Sequence, residues 1–452
     1  MKKLVILALV AAWFAPRTLA QDSPLERLDF RQVVQESKDK VFPALVFIKV
    51  LRESHESGRK VTQDVSGSGV LISPDGEVLT NWHVVDKAVQ VRCLLYDGTP
   101  CDAEVLGSDK DLDLALIKLK RAPDASALPF AELGDSSSVK EGDFVMAMGA
   151  PWGLSRSVSI GIISCTKRFL PETSEYSLWL QTDASISPGN SGGPLINTEG
   201  KVIGINTRGS SDGGDMGFSI PSATIRQVLP RMRQYEGANW SWTGLRLQPL
   251  RDFNKNTYFD GDAGVIVAGT DEGSPARRVG IVERDRLLSV NGQPLNGITE
   301  EDLPDIRRAI GLLEIDKPAT ITLLRGGETL TVELTPRQKG KVEGEELDCP
   351  RWDMTVKAIN EFDNPNLHFY RKEGVFIFGV RWPGNASNAG LNEQDIVTKI
   401  GDVNIVTLDD VRKAHKTALD NIKTKHKVIV NVLRNGQSQV IVLDFARDFK
   451  KE

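Results

Sequence analysis

Cysteine and histidine are both scarce in this chain of 452 residues, which has four cysteines and five histidines. The cysteines form no CxxC pair and no two histidines lie at a metal-ligand spacing, so the sequence predicts no metal site and no cofactor. The formal net charge is -5 and no basic block occurs, which argues against a nucleic-acid partner. Beyond the N-terminus, no segment is apolar for long enough to span a membrane.

Two of the cysteines, Cys93 and Cys101, flank the stretch LLYDGTP, which we read as a hairpin turn. A cross-strand disulfide between them is geometrically possible. Unpaired thiols fit the sequence equally well, so the pairing stays open at this point.

The N-terminal stretch MKKLVILALVAAWFAPRTLAQD has two lysines, an apolar run of about ten residues and a small residue, Ala20, at its end. This pattern is typical of a secretory signal peptide, which we place at residues 1–20. A membrane anchor is the alternative, but the run is short for about 20 spanning residues, and Pro16 and Arg17 interrupt it. We therefore expect an exported protein.

From about residue 40 to residue 230 the chain reads as short strands punctuated by Gly, Pro, Asp and Ser. The strand candidates are apolar or alternating runs: ALVFIKVL, GSGVLIS, EVLTN, VQVRCLLY, LALIKLK, DFVMAMG, VSIGIIS, LWLQTD, PLIN and KVIGIN. No long amphipathic helix interrupts them before SATIRQVLPRMRQY. Such a series over about 190 residues indicates two antiparallel β-barrels, an all-β domain that we place at residues 41–236.

An internal repeat replaces the strand series beyond residue 240. Residues 264–295, GVIVAGTDEGSPARRVGIVERDRLLSVNGQPL, match residues 374–405, GVFIFGVRWPGNASNAGLNEQDIVTKIGDVNI. Each copy reads as strand, turn, short helix and strand, and is followed by a helix and a strand pair. We therefore predict two small mixed α+β modules, at residues 240–338 and 355–449, with a polar linker at residues 339–354.

The stretch SPGNSGGPLI, residues 187–196, places Ser191 among turn-forming residues. By itself it fits a loop between strands, or a backbone cradle whose N–H groups converge beside an exposed hydroxyl. A serine nucleophile needs an imidazole base, and the imidazole needs a carboxylate to fix its tautomer. The choice therefore depends on whether both groups occur elsewhere in the chain.

His83 and Asp113 are the candidates for these two groups. His55 is the other histidine of the strand series, but it lies in the polar stretch RESHESGRK, whereas His83 directly follows a strand. Asp113 stands at the start of the apolar strand LALIKLK, where an unpaired acid is costly, and Asp111 is expected to be solvated. The order His83, Asp113, Ser191 is that of chymotrypsin-like enzymes, so we predict a catalytic triad.

With a triad present, the cradle is predicted to be an oxyanion hole formed by Gly189, Asn190 and Ser191. Gly189 and Ser191 would supply the N–H groups, and a side chain at position 189 would crowd the substrate carbonyl. Loss of one such donor typically raises the free energy of the transition state by about 2.7–4 kcal/mol.

The motifs TNWHVV, DLDLALIKL and QTDASISPGNSGGPLIN, with GKVIGIN and GFSIP after them, resemble the HtrA (DegP-like) family of serine endopeptidases. That family joins a trypsin-like protease domain to one or two PDZ domains, and the resemblance covers essentially the whole mature chain. It implies a chymotrypsin/trypsin-like double barrel followed by two PDZ domains. It also implies ATP-independent degradation of unfolded exported proteins in the periplasm, by trimers or multiples of trimers.

The N-terminal arm, residues 21–40, is where the resemblance places contacts that build the trimer. Residues 26–45 have helical periodicity, and we expect exposed apolar side chains there: Leu28, Phe30, Val33 and Val34. The alternative is a helix that merely packs on its own barrel.

Two positions differ from digestive trypsin-like enzymes. Asn190 stands where they carry the Asp that pairs with a newly freed N-terminus, so we expect no activation by N-terminal clipping. Ser185 stands six residues before the nucleophile, where a trypsin carries Asp, so the pocket is expected to favour small aliphatic side chains. The predicted pocket residues are Ser185, Ile186, Asn206, Thr207 and Arg208.

An extended peptide binds to a PDZ domain as an added strand. We place the groove of each repeat at the turn before its first strand, where backbone N–H groups would hold a carboxylate. Acidic neighbours there weaken the case for C-terminal carboxylates, so internal apolar segments, contacts between modules and a purely structural role are alternatives. The predicted groove residues are Ala263, Gly264, Val265 and Ile266 in the first copy and Glu373, Gly374, Val375 and Phe376 in the second.

Two functions compete on the sequence. The first is an active endopeptidase that degrades unfolded proteins. The second is a holdase or scaffold that binds unfolded chains through its PDZ domains with little cleavage. The intact triad and the glycine cradle favour the endopeptidase.

Overall fold

The structure is a computed structural model that describes residues 29–151, 156–171, 173, 175–210 and 216–449. The predicted signal peptide and Leu28 lie outside these ranges. Within them, no helix is both long enough and apolar enough to cross a bilayer.

The strand series folds into two closed antiparallel barrels of six strands each, which confirms the predicted fold. The first barrel has the order β1-β2-β3-β6-β5-β4, with strands β1 Leu45–Ser54, β2 Val61–Leu71, β3 Glu77–Thr80, β4 Ala88–Leu94, β5 Pro100–Asp109 and β6 Leu114–Leu119. The second has the order β10-β11-β12-β9-β8-β7, with strands β7 Phe144–Gly149, β8 Ser157–Arg168, β9 Trp179–Thr182, β10 Pro194–Asn197, β11 Val202–Ser210 and β12 Met216–Pro221.

Strands β5 and β12 were not among the candidates from sequence. In β5, exposed and half-buried positions are interspersed with buried ones, and its letters are mostly polar or small, so it has no apolar run. It is a strand because β4 and β6 pair with it on either side. Tertiary pairing commonly overrides composition in this way.

Cys93 and Cys101 lie directly opposite each other across β4 and β5, and both are free thiols. Cys93 is buried, and desolvation raises the pKa of its thiol to about 12. A thiol with so high a pKa is a poor nucleophile at neutral pH.

Three helices accompany the barrels: α1 Phe30–Val41, α2 Trp82–Val85 and α3 Ser222–Tyr235. Helix α1 begins after Asp29, whose carboxylate accepts the N–H of Arg31 at 3.0 Å. It lies on the second barrel, where the Phe30 ring is 4.8 Å from that of Phe144 and Ser37 donates to the carbonyl of Thr198.

The first repeat forms a six-strand sheet, with five strands in the order β14-β17-β18-β20-β21 and β19 paired to β18. Its elements are β13 Ser241–Trp242, β14 Leu245–Gln248, β15 Arg251–Asp252, β16 Thr257–Tyr258, β17 Val265–Thr270, α4 Pro275–Arg278, β18 Arg286–Val290, β19 Gln293–Pro294, α5 Leu303–Gly311, β20 Ala319–Arg325, β21 Glu328–Leu334 and β22 Arg337–Gln338. Strands β13 and β22 pair with each other where the chain enters and leaves the module.

The second repeat has the same plan with one strand more, in the order β23-β24-β25-β26-β28-β29. Its elements are β23 Glu346–Cys349, β24 Met354–Ala358, α6 Pro365–Tyr370, β25 Val375–Val380, α7 Asn385–Ala389, β26 Ile396–Ile400, β27 Val403–Asn404, α8 Leu408–Asp420, β28 Lys427–Arg434 and β29 Gln437–Asp444. The segment predicted as a linker, residues 339–354, therefore contains a strand of this sheet, and Trp352 in it is fully buried.

Candidate active site

His83 and Asp113 meet at the edge of the first barrel. His83 lies on α2, directly after β3, and its Nδ1 is 2.9 Å from both carboxylate oxygens of Asp113. The same carboxylate accepts the backbone N–H of His83 at 3.1 Å. This contact places the proton on Nδ1 and leaves Nε2 as the basic nitrogen.

Asp113 is held by the turn that leads into β6. Its φ is 54°, a conformation that is rare for residues other than Gly. The Asn81 amide, in the residue before α2, donates to the carbonyl of Asp113 and to Thr207 Oγ1, both at 3.0 Å. Asn81 thus ties the aspartate turn to β11 of the second barrel. Sequence reasoning missed this residue.

The nucleophile turn joins the second barrel to the first. Ser68 of β2 donates its hydroxyl to the carbonyl of Gly189 at 2.6 Å and its N–H to the carbonyl of Ser191 at 2.8 Å. A Cβ on Gly192 would lie 2.1 Å from the carbonyl oxygen of Ser68. Only glycine allows this approach of the two barrels.

The backbone before Ser191 makes a tight turn. The N–H of Asn190 donates to the carbonyl of Ser187 at 2.9 Å, with Pro188 and Gly189 between them and Gly189 at φ 97°. Pro then Gly with positive φ is the signature of a type II turn. Among the described residues, the N–H groups of Gly189 and Ser191 donate to no backbone carbonyl, which leaves both free for a substrate oxyanion.

Asn190 points away from the site. Its side chain is buried and its Oδ1 accepts the hydroxyl of Ser157 at 3.0 Å. A neutral hydrogen bond therefore holds the position where trypsin-like enzymes use an ion pair.

The Ser191 hydroxyl donates to the carbonyl of Thr207 at 2.9 Å. The register of β11 against β12 shifts at this point, so Thr207 is a bulged residue whose carbonyl lies outside the ladder. In the part of the chain that is described, Ser191 makes no hydrogen bond to the His83 ring. The hydroxyl must turn from Thr207 to His83 before reaction, as is common in enzymes without substrate.

The specificity pocket stays a prediction, and one of its residues, Ile186, makes close contacts with backbone. Gly209 and Gly217 approach Ile186 closely: a Cβ on Gly217 would lie 2.7 Å from the Ile186 side chain, and a Cβ on Gly209 would lie 2.7 Å from its carbonyl. Ser185 is exposed and its carbonyl accepts the hydroxyl of Ser159 at 2.6 Å.

Asn206 is a correction, because its side chain does not face a pocket. It is fully buried, and its amide donates to the carbonyls of Met148 and Pro194 and accepts the Ser219 hydroxyl. It holds strands of the second barrel together.

A cavity of about 660 Å³ lies beside the triad. Aromatic side chains line it on two sides, and the Arg208 guanidinium lies 5.9 Å from the centre of the Trp179 ring. Its walls include Trp82, His83, Thr173, Trp179, Thr207 and Arg208. The space next to His83 is therefore wide enough for an extended chain.

The turn of Asp113 also contacts the first repeat. Asp109 is fully buried, and its carboxylate accepts the N–H of Leu112 at 2.9 Å and Trp240 Nε1 at 2.8 Å. Burial raises the pKa of Asp109 to about 7, and the charge of Asp111 adds to this shift. Asp111 is not solvated as expected: it is half-buried and binds Lys339 Nζ at 2.7 Å.

The predicted peptide grooves are wrong. Strand β17, which begins with Val265 and Ile266, pairs with β14 on one side and β18 on the other. Strand β25, which begins with Val375 and Phe376, is likewise enclosed by β24 and β26. The carbonyls of Gly264 and Gly374 already accept backbone N–H groups. A strand with both edges paired cannot accept a further peptide strand, so neither the preceding turns nor these strands form a groove.

Strand β14 is one of the two edge strands of the first repeat's sheet, and no described strand pairs with its outer side. A cavity of about 500 Å³ lies along this edge, between β14 and α5, and residues of the protease domain and of the second repeat also line it. Its lining includes Leu245, Leu247, Arg307, Ile310, Tyr176 and Lys339. The alternating letters LRLQ of β14 are the sequence signal that could have found this edge.

Two barrels with His, Asp and Ser in their cleft define a trypsin-like serine peptidase. Residues 67–205 match the family described as trypsin-like peptidase domain, and residues 241–335 match the PDZ domain family.

Proteins and solved structures of one family resemble this chain over most of its length. Two proteins named probable periplasmic serine endoprotease DegP-like, from Pseudomonas savastanoi pv. phaseolicola and Halomonas elongata, are each 34% identical to it. The matches cover 83% and 84% of this chain and 78% and 79% of those proteins. The structure of the HtrA-type protease AlgW with a decapeptide matches at TM-score 0.57 and 27% identity, over 68% of this chain and 99% of AlgW. A serine endoprotease from Yersinia pestis matches at TM-score 0.52 and 28% identity, over 67% and 97%.

The chain belongs to the DegP-like (HtrA) family of serine endoproteases. It is a serine-type endopeptidase whose trypsin-like domain is followed by PDZ domains.

Proposed function

We propose that this endopeptidase degrades unfolded exported proteins in the periplasm, with Ser191 as nucleophile, His83 as base and Asp113 as the group that orients the base. The observation that carries the proposal is the 2.9 Å contact of His83 Nδ1 with both oxygens of Asp113. Asn81 and Thr207 link this pair to Ser191.

The reaction follows from these positions. Ser191 Oγ attacks the scissile carbonyl while His83 Nε2 takes its proton, and the N–H groups of Gly189 and Ser191 bind the oxyanion. His83 then gives the proton to the leaving amine, and an acyl-enzyme remains on Ser191. Water, deprotonated by His83, attacks the ester and releases the second product. Asp113 stays ionised and stabilises the imidazolium.

The pocket supports cleavage after small aliphatic residues. Ile186 lies close to the backbone of Gly209 and Gly217, which leaves little depth for a long side chain. Ser185 supplies no charge for Lys or Arg, whose burial without a partner would be costly.

The first PDZ domain supports peptide binding between β14 and α5. An extended segment would pair with the free edge of β14 and place apolar side chains against Leu245 and Ile310. Arg307 in the same cavity supplies a cation for a peptide carboxylate, whereas Lys339 is already paired with Asp111. Tethering a substrate there would raise its effective concentration at the cleft.

Digestion of an unfolded, disulfide-free protein tests the catalytic proposal. We expect cleavage mainly after Val, Ala or Ile. Ser191→Ala should lower the rate by about 10⁶-fold and Asp113→Asn by about 10⁴-fold, with fragments mapped by mass spectrometry. Cleavage dominated by Lys and Arg sites would contradict the pocket assignment. Aggregation suppressed equally by wild type and Ser191→Ala, with no cleavage, would favour the scaffold function instead.

Members of this family are oligomeric, and we propose a trimer in which α1 takes part. Helix α1 lies on the second barrel, and the side chains of Phe30, Phe144 and Ile160 are partly exposed nearby. A chain truncated before residue 40 should sediment as a monomer, and the full mature chain as a trimer. A trimer that survives the truncation would exclude the arm as its main contact.

A further inference from the structure

The two PDZ domains differ at the edge where a peptide strand would add. In the first domain the outer edge of β14 is free, and a cavity separates it from α5. In the second domain the equivalent strand is β24, and β23 pairs antiparallel with its outer edge along four residues, from Glu346 opposite Lys357 to Cys349 opposite Met354. The chain has thus added a strand of its own where a peptide would add.

The side chains of β23 also occupy the space against the helix. Cys349 is fully buried in the core of the second domain, and Leu347 packs against the same core. Burial raises the pKa of the Cys349 thiol, which therefore stays neutral in this core. Helix α8 packs directly against β23. The strand therefore lies between β24 and α8, as a peptide lies between the edge strand and the helix in β-augmentation.

The turn before the edge strand differs in charge. Strand registers place Asp353 where the first domain has Gly244, and both residues have positive φ, 55° and 71°. Asp353 is buried, and its carboxylate accepts the N–H of Asn385 at 2.9 Å and contacts Arg381 at 3.3 Å. A buried carboxylate therefore stands where the first domain has only a glycine, and its negative charge would repel a peptide terminus.

We propose that residues 346–349 are a built-in ligand of the second PDZ domain, which leaves the first domain as the one that takes peptides. The proposal deepens the proposed function of the first groove, because it assigns substrate capture to one domain. The second domain then acts as a clamp on the protease domain.

Glu346, the first residue of β23, connects the filled groove to the protease domain. Its side chain is buried, and its carboxylate lies 2.6 Å from Lys87 Nζ, 3.0 Å from His55 Nδ1 and 3.6 Å from Lys357 Nζ. Thr355 of β24 donates to the carbonyl of His55. Strands β23 and β24 therefore both hold the turn between β1 and β2, and release of β23 would release the Glu346 contacts.

Hydrogen exchange on the full-length Ser191→Ala chain tests whether β23 is docked. Amides of residues 346–349 should exchange at least about 100-fold more slowly than in the unfolded chain. Leu347→Asp should abolish this protection, while Leu347→Val should keep it. Unprotected amides at 346–349 in the parent chain would overturn the proposal.

Crosslinking tests the consequence for peptides. The probe is a decapeptide with an apolar C-terminus and a photoreactive phenylalanine, and crosslinked sites are mapped by mass spectrometry. In the parent chain we expect crosslinks on β14 and α5 alone; in Leu347→Asp we expect additional ones on β24 and α8. Crosslinks on β24 and α8 in the parent chain would overturn the built-in ligand. Absence of crosslinks on β14 and α5 would instead remove the proposed function of the first groove, while the exchange result would still decide the state of β23.

Discussion

The two PDZ domains share a scaffold and differ in how one corner of it is built. In both, a buried aspartate at the start of a central strand binds an arginine with both oxygens: Asp285 with Arg325 and Asp395 with Arg434, all four contacts within 2.7 Å. This pair fixes the turn after the short helix, because the same aspartate accepts a backbone N–H three residues earlier. Both copies of the repeat therefore have the aspartate–arginine pair that stabilises the sheet.

Beside the groove, the turn before the edge strand contacts the start of the short helix, and we call this place the corner. Between the two domains, the small and the polar residue of the corner have changed places. In the first domain Ser274 caps α4 by accepting the N–H of Arg277, and a Cβ on Gly244 would lie 2.1 Å from Ser274 Cβ. In the second domain Gly384 stands at the Ser274 position, and Asp353 uses the space to bind the N–H of Asn385. Each domain has room for one polar side chain at this corner. In the first domain it comes from the helix cap, Ser274, so the turn before the edge strand has no side chain; in the second domain it comes from that turn itself, as Asp353.

The largest loss of stability is expected from removing the Trp352 ring, which lies in the core of the second domain. Trp352 is fully buried, and Thr243 takes the equivalent backbone role, since their carbonyls accept Ala386 N and Ala276 N, both at 3.0 Å. Trp352→Ala should lower the stability of the second domain by about 3–5 kcal/mol. Thr243→Ala should lower that of the first by about 1 kcal/mol. Calorimetry of the Ser191→Ala chain resolves the domains, and equal losses would contradict the comparison.

Giving the first domain the corner residues of the second tests whether positions 244 and 274 act together. Gly244→Asp should destabilise the first domain by about 2–3 kcal/mol, because its Cβ overlaps Ser274. Adding Ser274→Gly should restore most of the loss and still abolish peptide crosslinking to β14. Denaturant unfolding measures the coupling, and additive losses would show that the two positions are independent.

A smaller difference between the two PDZ domains is expected in how their stability depends on pH. His415 on α8 lies edge-on to Trp352 at 4.7 Å, and desolvation lowers the pKa of its imidazole to about 4. The unfolded chain binds a proton near pH 6.5 and the folded domain does not, so stability should fall as the pH drops from about 6.5 to about 4.

His415→Phe should remove this part of the pH dependence in the second domain. The first domain has Arg307 instead of a histidine at the equivalent helix position. Thermal unfolding between pH 7 and pH 4 provides the measurement. An unchanged slope in His415→Phe would assign the effect to the carboxylates.

The parts of this molecule that the sequence predicted were those with a local signal. Apolar runs between turn residues gave the barrels, and an acid at the start of a buried strand, Asp113, stood out because it needs a partner. Asn81, Ser68 and the Trp240–Asp109 contact carry no such signal, because their partners lie far away in the chain.

The grooves were placed wrongly for a physical reason. The run VIVAG of β17, before Thr270, has no polar residue, and a strand apolar on both faces is an interior strand, not an edge. The polar letters ELDC of β23 resembled a linker, because a short strand that owes its pairing to a neighbour needs no apolar run.

The Ser191 hydroxyl can leave the carbonyl of Thr207 for His83 by turning about a single bond. Such rotations take picoseconds to nanoseconds, whereas enzymes typically turn over about ten times per second. Rotation of the Ser191 hydroxyl is therefore too fast to limit the turnover rate of this protease. The rate must be set by slower events: arrival of an extended chain, rearrangement of the cleft, acylation, deacylation or departure of products. Where departure is slowest, rapid mixing would reveal a burst of first product equal to the enzyme present.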